Sequence, residues 1–238
     1  MYAFDGRIRF SEVNEKGEIS LMGIVNYLQD AAGFHGEEVG YGVEWTKQTG
    51  LAWILTSMQM QVLKRPRFGS RIRMETWSTG FKGCLGTRQY AMRDEEGELL
   101  VMANSKWVYM NLPEGKPVNV PEEQKMLYGV DTELIYAHDI GKRKIRKPKE
   151  GNRRESSFMI TEHQLDTNHH VNNGQYILMA EKYLPLNFVT GKLRVEFRNQ
   201  AHAGDVIIPV IAETEGIYTI TLENPAGEAY FVGEFTQL

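Results

Sequence analysis

The sequence has a single cysteine, Cys84, among its 238 residues, so no disulfide can form within the chain. One thiol suits a reducing compartment better than a secreted fold stabilised by disulfides. No apolar run approaches the roughly 18 residues that a membrane-spanning helix needs. The first residues also lack the basic and then apolar pattern of a secretion signal. We therefore expect a soluble cytoplasmic protein without a membrane span.

Net positive charge is missing as well, because 27 Lys and Arg residues stand against 31 Asp and Glu residues, a net charge of −4. This balance argues against nucleic acid as a partner. Positive charge is nevertheless concentrated between positions 141 and 154, where Glu150 is the only acid. Such a run is usually a solvated linker, and the alternative is a docking surface for an acidic protein. The basic residues considered for docking are Lys142, Arg143, Lys144, Arg146, Lys147 and Lys149.

The two halves of the chain repeat the same order of patterns. Each half starts with alternating apolar and polar residues, which predict a half-buried strand, at an offset of 150 positions. A stretch with helical spacing comes next, followed by several strands joined by similar turns. The matched segments are Ile8–Val13 with Phe158–His163, Ser20–Ala32 with His170–Ala180, and the turns Asp94–Glu98 with Asn224–Glu228.

A helix between alternating strands needs a sheet to cover its apolar side. The repeat therefore predicts an α+β fold of two tandem units, in which each antiparallel sheet wraps round a long helix. Joining the two sheets into one continuous sheet would remove an exposed edge strand. We predict the units at residues 1–121 and 152–238, connected by a basic linker at 122–151.

The densest group of polar side chains lies just before the second helical stretch. Asp166, Asn168 and His170 are two positions apart, so an extended turn would point all three the same way. A carboxylate or an imidazole can activate water, and an amide can orient it. The free N–H groups of Val171 and Asn172 at the helix start suit a developing oxyanion. These residue types together predict an active site.

The first half supports a reactive role for this group. At the 150-residue offset, its counterparts are Lys16, Glu18 and Ser20, so the first half keeps the scaffold without the polar group. Ordinary turn and cap residues are the alternative interpretation, but both copies would share a purely structural requirement. We therefore predict one active site per chain, in the second half.

Other candidates are weaker. The histidines His163, His169 and His170 match no standard metal site in their spacing. Cys84 lies in a glycine-rich connection and is better explained as a structural thiol than as a nucleophile. Apolar and flexible side chains of the first half are candidates for a pocket that holds a long apolar ligand. They are Leu28, Ala32, Trp53, Met58, Met60 and Trp107.

The run Asp166-x-Asn168-x-His170-Val171-Asn172-Asn173-x-x-Tyr176 resembles the acyl-acyl carrier protein thioesterases of plants and bacteria, whose plant members carry Asp-x-Asn-x-His-Val-Asn-Asn-x-x-Tyr. Gln29–His35, Trp53–Gln59 and Trp107–Asn111 in the first half are also similar. The resemblance implies a double hotdog fold with catalysis in the second half and much of the acyl pocket in the first. It implies that Asp166, Asn168 and His170 take the catalytic roles and that acyl carrier protein is the partner.

The sequence departs from this family at two positions. Gln200 stands where the family often has Glu, and Ala201 stands where plant members have Cys. A cysteine mechanism is therefore not available in the second half. Gln200 cannot act as a general base, but its amide can hold a water molecule or orient a neighbour.

The resemblance implies hydrolysis of fatty acyl thioesters without a metal or organic cofactor. Asp166 or His170 would activate water, or Asp166 would attack directly and form an anhydride. The alternatives are an acyl-CoA thioesterase, because hotdog scaffolds serve both carriers, and a non-catalytic acyl-binding regulator. A hotdog dehydratase would need a differently placed histidine. Acyl chain preference and a homodimer are left open.

Overall fold

The computed structural model describes residues 1–133, 135–136, 144–146 and 152–238. The chain divides into two compact units, Met1–Gly141 and Lys142–Leu238. In each unit a helix packs on an antiparallel sheet. The α+β fold class predicted from the repeat is therefore confirmed.

The first unit has a five-stranded sheet in the order β1-β3-β4-β5-β2, with the short β6 paired to β5. Its long helix α1 begins where the Ser20 hydroxyl accepts the Gly23 N–H at 3.0 Å, which satisfies one of the free donors of the first turn. The elements are β1 Tyr2–Arg7, α1 Leu21–Glu38, α2 Val43–Thr49, β2 Leu51–Val62, β3 Arg71–Lys82, β4 Leu85–Arg93, β5 Leu99–Asn111, β6 Lys116–Pro117 and α3 Glu122–Tyr128.

The second unit repeats this plan with the strand order β9-β12-β11-β10-β7, and β8 also pairs with β10. Phe231 and Phe235 of β12, which lies between β9 and β11, are fully buried, as is Ile177 of the helix. The elements are β7 Arg153–Arg154, β8 Phe158–Met159, α4 Asn173–Glu181, β9 Thr190–Phe197, β10 Val206–Thr214, β11 Ile217–Glu223 and β12 Ala229–Gln237.

The strands predicted at Ile8–Val13 and Phe158–His163 are largely wrong. The chain there leaves the sheet and forms short 3-10 turns at Phe10–Glu12 and Glu162–Gln164. In the first turn the Glu12 carboxylate accepts the Arg9 N–H at 2.8 Å, and Gln164 makes the same bond to Thr161 in the second. Local side-chain hydrogen bonds thus replace the ladder that the alternating pattern predicts.

The duplication itself is confirmed, but its offset near the site is 152 residues rather than 150. Isolated bridges join Val13 to Ile19 and Leu165 to Val171, and Ser20 and Asn172 cap the two helices. Matching by alternation alone does not detect a slip of two residues, because the side-chain period of a strand is two. The counterparts of the site residues therefore change.

Some described residues of the predicted linker at 122–151 pack on the two units. Helix α3 belongs to the first unit, where Gln124 and Tyr128 are buried. Trp77 Nε1 donates to the Glu133 carbonyl at 2.9 Å in the same unit. In the second unit, Ile145 is 1% exposed and its N–H donates to Glu196 at 2.8 Å. Helix α3 and Ile145 of the expected linker thus pack on the units, because they carry apolar side chains among the charges.

Candidate active site

The loop before α4 is a tight turn rather than an extended one. The Asp166 N–H donates to the His170 carbonyl at 2.7 Å. The Asp166 carboxylate accepts the N–H groups of Asn168 at 2.7 Å and His170 at 3.3 Å. The prediction that three alternate side chains share one side of an extended segment is therefore wrong. The structure brings Asp166 and His170 together, while Asn168 is exposed.

The first unit contains the same loop. The Asn14 side-chain oxygen accepts the N–H groups of Lys16 at 3.0 Å and Glu18 at 3.1 Å, and the Asn14 N–H donates to the Glu18 carbonyl at 2.8 Å. The counterparts of Asp166, Asn168 and His170 are thus Asn14, Lys16 and Glu18. An amide closes this turn as well as a carboxylate does. The second copy therefore adds a negative charge and an imidazole that the turn does not require.

One residue of the loop has a strained backbone. His169 has a φ of 60°, and its counterpart Gly17 has a φ of 72°. Glycine adopts this left-handed conformation without penalty. For a residue with a side chain, the same conformation costs about 1–2 kcal/mol of free energy. Strain of this kind concentrates at functional sites, which fits a site in the second unit.

The two N–H groups predicted as oxyanion donors are already engaged. Val171 donates to the Ala201 carbonyl at 2.9 Å, and Asn172 donates to the Gln164 carbonyl at 3.0 Å. The helix begins at Asn173, three residues later than the sequence pattern indicates, because Asn172 is its cap and accepts the Gly174 N–H at 2.8 Å. Among the described residues the Asn173 N–H has no acceptor, so it replaces Val171 and Asn172 as the candidate donor.

A second histidine faces His170. The rings of His170 and His202 lie edge to face, with their centroids 4.8 Å apart. Burial lowers the pKa of His170, the nearby His202 lowers it further, and the Asp166 charge opposes this effect. The backbone of His202 is in turn held by Asp205, whose carboxylate accepts the His202 backbone N–H at 2.8 Å.

Sequence reasoning missed His202 and Asp205, although a signal for them was present. They lie in the turn between β9 and β10, whose counterpart in the first unit holds Arg67 and Ser70. In that unit Ser70 accepts the Arg67 N–H at 3.2 Å, as Asp205 does for His202. A comparison of the two turns would have shown that an arginine is replaced by a histidine.

Gln200 and Ala201 differ in their surroundings. The Gln200 side chain is exposed, and it makes no side-chain hydrogen bond with any residue that the structure describes. Ala201 is fully buried. The role of Gln200 in orienting water stays a prediction.

The six acyl-pocket candidates all belong to the first unit. Leu28 and Ala32 lie on α1, and Met58 and Met60 are buried in β2, whereas Trp53 and Trp107 are partly exposed. An open groove of about 1140 Å³ in this unit has none of the six in its lining. Its walls include Arg7, Phe10, Phe68 and Arg71. The pocket assignment stays a prediction.

Of the basic docking candidates, Lys144 and Arg146 are described and exposed. Lys142, Arg143, Lys147 and Lys149 lie outside the described residues.

Within the described ranges, no three His, Cys, Asp or Glu side chains are grouped so that they could hold a metal ion. No helix in the described part of the chain has the length and apolar character to cross a membrane.

Two family models match most of the chain. The model of the acyl-ACP thioesterase N-terminal domain matches residues 2–128, and that of the C-terminal domain matches residues 147–229. The palmitoyl-acyl carrier protein thioesterase of Arabidopsis thaliana, a chloroplastic protein, is 28% identical over 224 residues, or 87% of this chain. The chain spans 54% of the length of that relative and 63% of the length of the Arabidopsis oleoyl-acyl carrier protein thioesterase 1.

Solved structures agree on the fold. An acyl-ACP thioesterase from Bacteroides thetaiotaomicron superposes with a TM-score of 0.88 at 18% identity, covering 99% of this chain and 96% of that one. The 12:0-ACP thioesterase from Umbellularia californica gives a TM-score of 0.84 at 19% identity, with 100% and 96% covered. The expected double hotdog fold is confirmed. Together with the two family models, these findings show that the chain belongs to the acyl-ACP thioesterase family.

Proposed function

We propose that the chain hydrolyses fatty acyl thioesters of acyl carrier protein to a free fatty acid and the carrier thiol. This hydrolysis ends fatty acid synthesis. The observation that carries this proposal is the Asp166–His170 loop at the start of α4, in a chain of the acyl-ACP thioesterase family. The names of the relatives specify palmitoyl, oleoyl and dodecanoyl carriers. A single partly buried thiol, Cys84, is consistent with the cytoplasm as its compartment.

In this proposal the site activates water. A thioester carbonyl is electrophilic and its thiolate leaves readily, so modest activation of water is sufficient. Asp166 and His170 face the water, while the exposed Asn168 and Gln200 amides orient it. The Asn173 N–H at the helix start stabilises the oxyanion.

Binding is divided between two groups of residues. The first unit supplies the acyl pocket from α1, β2 and β5, and the exposed Lys144 and Arg146 receive the acidic carrier together with the neighbouring basic residues. Reversing the charge of Lys144 and Arg146 should raise KM for acyl carrier protein substrates at low salt. An unchanged KM would remove this docking assignment.

The decisive experiment exploits the two copies of the loop. Asn14 shows that an amide closes the turn, so Asp166→Asn should keep the fold and remove only the charge. We expect kcat for acyl carrier protein thioesters to fall by about 100-fold or more, measured by thiol release across acyl chain lengths. Asn14→Asp is the matched control and should keep the wild-type rate. If Asp166→Asn retains kcat within about threefold, the role of this carboxylate is refuted.

The same assay separates the alternatives. Faster hydrolysis of acyl-CoA than of the acyl carrier protein substrate would favour an acyl-CoA thioesterase. Acyl binding without thiol release would indicate a regulator. Single turnover in ¹⁸O-labelled water distinguishes the two roles of Asp166, because label that enters its carboxylate first would exclude direct attack by water.

A further inference from the structure

We infer that the imidazole of His202, which lies beside the Asp205 carboxylate, is the base that takes the proton from the attacking water. The inference rests on the proposed function, since it assigns one step of thioester hydrolysis. It also supplies a proton acceptor in place of Gln200, because an amide at that position cannot accept the proton.

The turn that carries His202 is tied to the start of α4. The Val171 N–H donates to the Ala201 carbonyl, and the Ala201 N–H donates to the Tyr176 hydroxyl oxygen, both at 2.9 Å. These bonds fix the neighbouring His202 against His170 at a ring separation of 4.8 Å. The His202 side chain is 56% exposed, so water and a substrate can reach it.

Asp205 lies beside the His202 ring. Its Oδ2 accepts the backbone N–H of His202 at 2.8 Å and lies 3.8 Å from the ring nitrogen Nδ1, which is ion-pair distance rather than hydrogen-bond distance. The Tyr230 hydroxyl donates to this oxygen at 3.3 Å. We assign Nε2, the ring nitrogen that is not beside this carboxylate, as the proton acceptor.

The first unit argues against a purely structural explanation. Its matching turn has the same backbone geometry, with Ser70 in the place of Asp205. A β-bridge joins Glu18 and Arg67 there, which are the counterparts of His170 and His202. The fold is therefore satisfied by a carboxylate and a guanidinium at these positions. Two facing imidazoles are specific to the second unit.

The electrostatic surroundings of the two imidazole rings differ. Burial lowers the pKa of His170 first, and His202 lowers it next. Because two protonated imidazoles repel each other and burial disfavours a charge, the protonated form of His170 is disfavoured. The other titratable groups around the pair are Asp166, His169, Tyr176, Asp205 and Tyr230.

The step balances without a further reactant. Water gives one proton to Nε2 of His202 while its oxygen bonds to the thioester carbonyl carbon, and the carbonyl electron pair moves to oxygen. The tetrahedral intermediate collapses and the carbon–sulfur bond breaks. The leaving thiolate takes the proton from the His202 imidazolium, so the products are the fatty acid and the free thiol of the carrier.

The test combines kinetics with histidine NMR on the full chain. In His202→Gln we expect kcat to fall by about 100-fold or more, with KM within about threefold and with the rise of kcat on the acid side of the pH profile lost or displaced. Asp205→Asn should lower kcat less and shift that rise. Arg67→Gln, the counterpart in the first unit, is the matched control. NMR titration should show a higher His170 pKa in His202→Gln, because a neighbouring positive charge has been removed.

The outcomes separate the two proposals. A wild-type chain that releases thiol and a His202→Gln variant with the same kcat and pH profile would overturn this inference and leave the proposed function standing. A wild-type chain that releases no thiol from any acyl thioester would overturn the proposed function and this step with it. In that case an unchanged His170 titration in His202→Gln would also refute the coupling of the two rings.

Discussion

Acid should destabilise the first unit through the buried histidine His35. Its side chain is 4% exposed, and Nη1 of the equally buried Arg88 donates to Nδ1 of His35 at 3.0 Å. A guanidinium has no acceptor, so Nδ1 must be unprotonated. Burial and then the charge of Arg88 lower the pKa of His35 to about 3. Protonation would bury a second positive charge and remove this hydrogen bond.

Proton linkage gives the direction and the size of this change in the free energy of unfolding. An unfolded chain protonates this histidine near its ordinary pKa of about 6.5, whereas the folded chain takes the proton only near pH 3. Between these values the unfolded state binds more protons, so stability falls as pH falls. From roughly pH 8 to roughly pH 4.5, the free energy of unfolding should drop by about 2–3 kcal/mol through His35 alone.

Urea unfolding monitored by tryptophan fluorescence measures this loss in the correct unit, because all four tryptophans lie within Met1–Gly141. His35→Gln keeps an acceptor for Arg88 and cannot be protonated, so it should lose about 2 kcal/mol less than the wild type over that range. His163→Gln, an exposed histidine of the second unit, is the control. If His35→Gln and the wild type lose equal stability, the assignment to His35 is refuted.

Two further predictions concern the second unit, and thermal unfolding followed by circular dichroism tests both. Tyr176→Phe removes the acceptor of the buried Ala201 N–H, so it should cost about 1–3 kcal/mol and lower kcat by loosening the adjacent turn; unchanged stability would show that this N–H finds another acceptor. His169→Gly relieves a positive φ that Gly17 adopts in the first unit, and it should raise stability by about 0.5–1 kcal/mol after the entropy of glycine is subtracted. A lower stability of His169→Gly than of the wild type would contradict a strained backbone at His169.

Much of the architecture could be predicted from the sequence, because local patterns specify it. The turns Asp94–Glu98 and Asn224–Glu228 form as the repeat predicts, each closed by a bond from its first N–H to its last carbonyl. The start of α1 follows from Ser20, a favourable cap residue. In the second unit the sequence indicated the correct loop but placed the helix start too early, because Asn172 is the cap rather than part of the helix.

The site was predicted less completely, and the reason is register. Alternating patterns match equally well after a slip of two residues, so the counterpart of Asp166 was placed at Lys16 instead of Asn14. That slip made the Asp166 turn look unique to the second half, whereas its hydrogen bonds are shared by both copies. The charge of Asp166 and the histidine at position 170 remain specific to the second unit.

The sequence by itself determined the α+β class, the duplication, the family and the loop of Asp166 and His170, because each depends on residues close together along the chain. Only the tertiary structure decided that His202 faces His170, that the N–H groups of Val171 and Asn172 are engaged, and that the Asn173 N–H has no acceptor among the described residues. The contact of His170 with His202 and the bond from Val171 to Ala201 join segments about thirty residues apart, and pairing between distant segments depends on how the sheet and helix pack rather than on any local pattern.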